Sequence, residues 1–469
     1  MAKSKQTYVC RECGFESGKW MGQCPECHAW NTLEEKKAAQ PLNGSQIAYN
    51  RVKVSEGLKQ LNKVSIQSND RIVTGMTELN RVLGGGLVRD SITIIAARPG
   101  AGKSTLLLQA AQDIAKAGDR VLYVSGEESE SQLRRRAARI LNEIHENIWV
   151  HSTSHLNEVL TAIDELDPTL IILDSIQTFF LDEYPSRPGS PTQVLECTNA
   201  IMKIAKNPNH PRAVLMAGQL TKEDELAGVR ALEHMVDTVL YMEADPAEEL
   251  RTLSATKNRF GSTGEMGFFT MEEGGLQTID NPSRYFMTKR DNDDAVTGTA
   301  LSVIKEGTRP MITEIESLIS QSFTPYPSRI AECMKRDQLA TLISILEQRG
   351  GIALYDKNVV VKTTGGLKLN QQSVNLAVIM SLVSSALKKS IPSDTVFIGD
   401  VGLTGEIKKV PSIDAMVREI GRMGFKRLIV PKDSIKVEVK EKYKTTEFLD
   451  AATLTDAIRI IFGDYKRKF

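Results

Sequence analysis

Short apolar runs recur along the middle of the chain at 91–97, 120–125, 169–174, 212–218 and 237–242, each rich in β-branched residues and separated by longer stretches of helical spacing. Runs without polar alternation suit strands covered on both faces. Strand and helix in turn predict an α/β domain over 68–285 built on a mostly parallel sheet. A polar, charged stretch at 281–294 interrupts this pattern. Beyond it, apolar runs at 301–304 and 312–316 flank Glu306-Gly307-Thr308-Arg309-Pro310, which reads as a turn. A long apolar helix at 373–387, a strand with trailing glycines at 395–405, a helix at 413–423 and a short strand at 427–430 complete a second α/β domain over 286–469. Residues 36–67 are polar, Lys-rich and without apolar period, as a linker would be, and 1–35 hold four of the six cysteines. No internal repeat is visible.

These boundaries agree with a length of 469 residues, room for about three domains. The 41% hydrophobic and 25% charged residues exclude a disordered or fibrous chain. Lys plus Arg and Asp plus Glu number 59 each, a net charge of zero, so contact with nucleic acid has to rest on local basic patches. No apolar run approaches the ~18 residues of a membrane span, and the start, 1–7, is polar. A cytoplasmic protein without membrane contact is expected.

Cys10-x-x-Cys13 and Cys24-x-x-Cys27 stand ten residues apart, while Cys197 and Cys333 stand alone, which is not the pattern of a disulfide framework. Each close pair can turn two thiolates toward one ion, and four sulfurs close a tetrahedral site with no open position for water. The expectation is a structural metal, Zn2+, with rubredoxin-type iron as an alternative that spacing leaves open. Gly14 and Pro25 suit the tight turns of such a module. A segment this short cannot fold by burying apolar surface alone.

The run at 91–97 leads into Ala97-Arg98-Pro99-Gly100-Ala101-Gly102-Lys103-Ser104-Thr105 and then a helical stretch, 106–117. Strand, glycine loop and helix in this order make a P-loop: backbone N–H groups cradle phosphates at the helix start, Lys103 reaches the β/γ-phosphates of ATP and the Ser104 hydroxyl ligates Mg2+. Ala97 stands where the pattern has Gly, which is tolerable at a strand end with negative φ. Leu170-Ile171-Ile172-Leu173-Asp174 ends a buried strand in a carboxylate suited to hold the magnesium shell. Ser125-Gly126-Glu127-Glu128 closes another strand, where Glu127 is placed to polarise an attacking water; Glu128 and Glu130 fit a solvated helix start better. Gln219, just past the run at 212–218, stands where RecA-like ATPases put a γ-phosphate sensor, with a hydrogen-bonded turn residue as the plainer reading.

With these residues in place, the chain resembles the bacterial DNA-repair family RadA, also called Sms, over nearly its whole length. The resemblance rests on Tyr8-Val9-Cys10, Lys19-Trp20, Cys24-Pro25-x-Cys27-x-x-Trp30-Asn31-Thr32, Leu83-Gly84-Gly85-Gly86-Leu87, Leu232-Glu233-His234-Met235-Val236-Asp237 and above all Lys257-Asn258-Arg259-Phe260-Gly261. It implies a RecA-like P-loop ATPase core between an N-terminal four-cysteine zinc module and a C-terminal Lon-protease-like α/β domain, assembled as a homo-hexameric ring. It further implies translocation on single-stranded DNA, branch migration of recombination intermediates and a RecA-type recombinase as partner. The family pattern makes Lys103 and Asp174 the phosphate- and magnesium-binding pair, and Lys257 with Arg259 the key cations. In a ring, a cation at a subunit boundary can offset charge on the neighbour's γ-phosphate. Without the resemblance, Lys257 and Arg259 would read as a solvated strand edge.

The Lon likeness raises proteolysis as a competing activity, since a Ser-Lys dyad needs an amine beside the nucleophile. Ser373 in Gln372-Ser373-Val374-Asn375 occupies the nucleophile position, but counting on from Val410-Pro411 puts Met416 where the lysine belongs. A thioether takes no proton, so no proteolysis is expected, and Ser373 reads as a helix-start residue. The domain becomes an oligomerisation or DNA-facing platform, with Lys362, Lys368, Lys388, Lys389, Lys408 and Lys409 as candidate DNA contacts. A non-motor recombination mediator that uses ATP as a binding switch is the main alternative to the motor.

Overall fold

Residues 7–11, 14–36, 60–63, 71–219, 230–244, 249–288 and 296–465 are described by the computed structural model, and by their contacts they belong to two units, Met1–Thr278 and Ile279–Phe469. The first unit begins with a small antiparallel sheet of β1 (Thr7–Cys10), β2 (Glu16–Ser17) and β3 (Leu33–Lys36). A two-strand ribbon, β4 (Arg71–Ile72) with β5 (Leu87–Val88), leads into the core. There nine strands follow in chain order: β6 (Ile92–Ala97), β7 (Val121–Ser125), β8 (Ile148–Ser152), β9 (Leu170–Asp174), β10 (Ala213–Gln219), β11 (Thr238–Ala244), β12 (Leu250–Asn258), β13 (Met266–Glu272) and β14 (Gly275–Thr278). Their spatial order is β14-β13-β12-β11-β6-β10-β9-β7-β8. From β11 to β8 the pairing is parallel, and β12 to β14 extend the sheet as antiparallel hairpins.

The absence of polar alternation in the runs follows from burial on both faces. On β6, Ile95 and Ala97 join one apolar cluster with Leu106, Leu107 and Tyr123, while Ile92, Ile94 and Ala96 join another with Val159, Val194 and Ile201. Each Ile, Leu or Val among them is worth ~1.5–3 kcal/mol when fully buried. Helix Lys103–Lys116 buries Leu106, Leu107, Ala110, Ala111, Ile114 and Ala115, a helical stripe, and ends where Gly118 takes φ +99°. Helix Glu130–Ile140 is started by a capping box between Ser129 and Gln132. The strands β8, β13 and β14 were not among the runs that sequence pattern singles out. β8 is a half-exposed edge strand, and its mixed Ile-Trp-Val-His-Ser carries neither a solid apolar run nor a clean period of two.

The second unit holds β15 (Thr299–Glu306), β16 (Arg309–Gln321), β17 (Arg329–Ala331), β18 (Lys357–Thr363), β19 (Thr395–Phe397), β20 (Asp400–Val401), β21 (Ile407–Lys408), β22 (Arg427–Pro431) and β23 (Glu447–Ala451). Seven of them form a mixed sheet in the order β17-β18-β16-β15-β19-β22-β23. The turn anticipated at 306–310 joins the β15–β16 hairpin, with Gly307 at φ +60°. The strand with glycines after it expected at 395–405 is β19, three residues long, followed by Gly399, Gly402 and Gly405. The chain leaves the sheet after Phe397, where Gly399 bonds back to Ser373 and Leu376, and β20 instead pairs with β21 across a turn in which Gly405 has φ +90°. Helix Asn375–Leu387 buries ten consecutive residues from its start, as an apolar helix inside a domain must.

Candidate nucleotide site and metal centre

β6, β7, β9 and β10 end together, because Gln219 is in register with Ala97 and Ser125 with Asp174. This carboxyl-terminal edge of a parallel sheet is where open α/β folds bind ligands. Ala97 closes β6 buried and outside the left-handed region, so it serves where Gly was expected. Gly100 and Gly102 adopt φ +81° and +107°, and a Cβ on Gly102 would meet Met271 Cε at 2.6 Å. Helix Lys103–Lys116 has no side-chain N-cap, and its first intrahelical bond is from Leu106 N–H to the Gly102 carbonyl at 2.9 Å. The amides of Lys103, Ser104 and Thr105 therefore have no acceptor within the helix, the condition for cradling an anion. Arg98 and Pro99 are exposed and Ala101 is buried beneath the loop.

Lys103 Nζ donates to the Gly218 carbonyl at 3.0 Å. Burial pushes its ammonium down from the usual 10.5, while the charges of Asp174 and Glu127 act in the opposite direction. Glu127 and Gln219, read separately from sequence, are in direct contact: Gln219 Nε2 donates to Glu127 Oε1 at 2.9 Å. Ser175 Oγ donates to the same oxygen at 2.7 Å. Glu127 Oε1 is thus doubly engaged, and Oε2 is the oxygen left to act. The turn that presents Glu127 is held by Ser125 Oγ, which accepts from the Glu128 amide at 2.9 Å, and by Gly126, whose amide donates to the Asp174 carbonyl at 3.0 Å. Any Cβ at Gly126 would stand 2.0 Å from Thr178 Oγ1. Glu128 points away and is paired with Arg136, so the arginine-rich helix face is partly tied to the protein while Arg134, Arg135 and Arg139 stay exposed. Ser175 and Tyr123, whose hydroxyl donates to Asp174 Oδ2 at 2.8 Å, were missed by sequence reasoning. Ser175 adjoins a recognised carboxylate, which was a usable signal; Tyr123 sits in a run that reads only as core.

Lys257 and Arg259 do not join this group within the chain. Lys257 is in register with Val239 and so with Ile94, three residues before Ala97, roughly 10 Å back along the sheet. Its Nζ donates to the carbonyls of Glu233 (2.7 Å), His234 (3.1 Å) and Val236 (2.7 Å), covering the end of helix Arg230–Met235. Burial and the nearby Arg259 push that ammonium down, and Asp237 and Glu233 hold it up in part. Arg259 Nη1 donates to Asp237 Oδ1 at 3.1 Å with its guanidinium half exposed. Asp237 is buried and also takes Lys206 at 3.0 Å and the Ile92 amide at 3.1 Å. Asn258 bonds the Val82 carbonyl, the Phe260 carbonyl accepts from Arg71, and the Gly84 and Gly261 backbones touch so closely that a Cβ on either would stand 3.0 Å from the other's Cα. The pentapeptide and the three-glycine loop, two of the motifs that carry the resemblance, are one packed substructure.

In the cysteine segment, the sulfurs of Cys10, Cys24 and Cys27 lie within 4.8 Å of one another, with Cys10 and Cys24 buried. Cys13 lies outside the described residues. The Gly14 amide turns back to the Cys10 carbonyl at 2.8 Å and the His28 amide to that of Cys24 at 2.8 Å, the paired knuckle turns a tetrahedral thiolate site requires. Three converging sulfurs in a segment with almost no apolar core fit a zinc ion.

Ser373 does not cap the long helix as expected. It lies in the preceding 3-10 turn, Gln372–Val374, is 4% exposed, and its hydroxyl donates to the Val303 carbonyl at 3.5 Å, its one hydrogen bond among the described residues. Met416 is buried in the apolar cluster of its unit, with no amine in its place. Of the candidate DNA-facing lysines, Lys362 pairs with Glu316 (3.2 Å), Lys408 with Glu406 (3.3 Å), Lys368 bonds the Glu332 carbonyl (3.0 Å) and Lys389 that of Phe462 (3.4 Å). Lys388 takes φ +53° at the helix end, and Lys409 is exposed. Among the described residues, no helix is long and apolar enough to cross a membrane.

Family models match three segments: a rubredoxin metal-binding domain over 8–35, an AAA domain over 60–225 and subunit ChlI of Mg-chelatase over 335–434. DNA repair protein RadA of Bacillus subtilis (strain 168) is 40% identical over 466 residues, 99% of this chain and 100% of that protein. The protein of the same name from Halalkalibacterium halodurans gives the same identity and coverage. The one from Pseudomonas aeruginosa is 40% identical over 431 residues, 92% of this chain and 94% of its own.

Proposed function

The chain belongs to the family of DNA repair protein RadA, and from that premise we propose that it is a DNA-dependent ATPase that translocates on single-stranded DNA and promotes branch migration of recombination intermediates. The observation that carries the ATPase reading is the contact of Gln219 and Ser175 with one oxygen of Glu127 at the edge where the glycine loop opens. Amides 103–105 and the Lys103 ammonium hold the phosphates, and the Gly218 carbonyl gives up its bond to Lys103 as they arrive. Ser104 and Asp174 are the residues that would hold magnesium, which supplies neutralising charge to the β- and γ-oxygens. Glu127 Oε2 accepts the proton of the attacking water. Gln219, bonded to Glu127 and at the end of β10, reports whether a γ-phosphate is present. Arg259, half exposed and with one guanidinium nitrogen engaged among the described residues, is the better suited of the motif's two cations to reach a neighbouring subunit's nucleotide in a hexameric ring, because all three Lys257 donors are already taken. DNA with a single-stranded branch is the substrate and a RecA-type recombinase the partner this activity would serve.

The test is branch migration by the purified protein on a three-strand junction with a single-stranded tail, with ATP. Migration by the wild type and none by Lys103→Ala is the expected result. No migration with ATP-dependent DNA binding intact, also when a recombinase is added, would replace the motor by an ATP-gated mediator.

A further inference from the structure

β7 is buried along its whole length, and at its centre stands a residue with a hydroxyl, Tyr123, 1% exposed. A buried hydroxyl costs free energy unless it is bonded. Tyr123 spends its O–H on Asp174 Oδ2 at 2.8 Å, and among the described residues no other hydrogen bond is made by the Asp174 side chain. The ring is fixed from behind by the cluster that also holds Leu107 and Leu133, so the phenol cannot swing away. The carboxylate torsion of an aspartate is broad and two-fold when nothing holds it. Here one oxygen is tied to the core and Oδ1 is left for the nucleotide side.

We propose that Tyr123 is a positioning residue for the magnesium-holding carboxylate: its phenol engages Oδ2 of Asp174 and so fixes Oδ1 toward the ion's water shell. This rests on the nucleotide-site reading above.

The experiment uses the full chain and Tyr123→Phe, with Mg2+-dependent binding of a fluorescent ATP analogue measured beside ATP hydrolysis titrated against Mg2+ at fixed, saturating ATP. The midpoint of Mg2+ activation is expected to rise roughly 10-fold, the lower end of what outer partners of a metal ligand contribute, with a much smaller fall in the rate at saturating Mg2+. Tyr123→Met, which fills the core without a hydroxyl, is read the same way where the Phe variant is unstable in thermal unfolding. An unchanged Mg2+ midpoint in a folded variant, whatever its rate, would reduce Tyr123 to packing and overturn the proposal. Wild-type hydrolysis by Lys103→Ala would overturn the nucleotide-site reading itself, and it is recognised separately because that measurement does not involve Tyr123.

Discussion

Two neighbouring acids, Glu127 and Glu128, differ in fate because of what reaches them. Glu128 is neutralised by Arg136 on the same side of its turn, whereas Glu127 faces Ser175, Gln219 and the Lys103 ammonium. From sequence, Glu127 stands out because it follows the end of a strand, while Glu128 and Glu130 suit a helix start; the geometry adds that one of its oxygens is held while, among the described residues, the other makes no hydrogen bond. Glu127→Gln keeps the size and the ability to bond Ser175 but cannot take a proton. Its hydrolysis is expected to fall by ~10²–10⁴-fold, the usual contribution of a general base, with nucleotide affinity preserved, as single-turnover hydrolysis beside fluorescent-nucleotide binding would show. Gly126 explains why this turn tolerates no side chain: the Thr178 hydroxyl already fills the space.

At the scale of elements, the glycine loop, its strand and its helix were legible because local order alone makes a P-loop. The doubly covered strands were equally legible, because covering both faces leaves a solid apolar run. What escaped was anything decided by distant partners. β14 is four residues long and exists because β13 pairs it; after β19, nothing local tells that Gly399 must turn back to Ser373 or that β20 must pair with β21. Lys257 is the clearest case, a charge that sequence places on a strand edge and that in fact closes three carbonyls at a helix end. Lys257→Ala is therefore expected to bind ATP with near-wild-type affinity while losing DNA stimulation of turnover, measured as the ratio of hydrolysis with and without single-stranded DNA. Unwinding or migration at the wild-type rate would refute this.

For the molecule as a whole, metal and nucleotide chemistry depend on different residues within the first unit. The cysteine segment owes its order to three described sulfurs and a few apolar contacts among Cys10, Cys24, Leu33, Tyr8, Phe15 and Met21, too little to fold without a metal. The nucleotide site stands on the large sheet. Cys24→Ala, or chelation of the wild type, should thus release zinc and unfold 7–36 while ATP affinity stays within about two-fold, a difference under ~0.5 kcal/mol; atomic absorption and nucleotide titration on one sample would test it. Zinc content equal to the wild type would refute the ligand assignment.

The sheet order has one more consequence, for the birth of the chain. β6 is central, yet its two neighbours, β10 and β11, begin 121 and 146 residues after it (213 minus 92, and 238 minus 92). At a synthesis rate of roughly 5–20 residues per second, Ile92–Ala97 emerges with neither edge paired for ~6–24 s before β10 can follow. During that interval the most apolar strand of the core is open to nascent-chain chaperones and to strand-edge aggregation. A chain cut off before 213 would keep that exposure for as long as it lived.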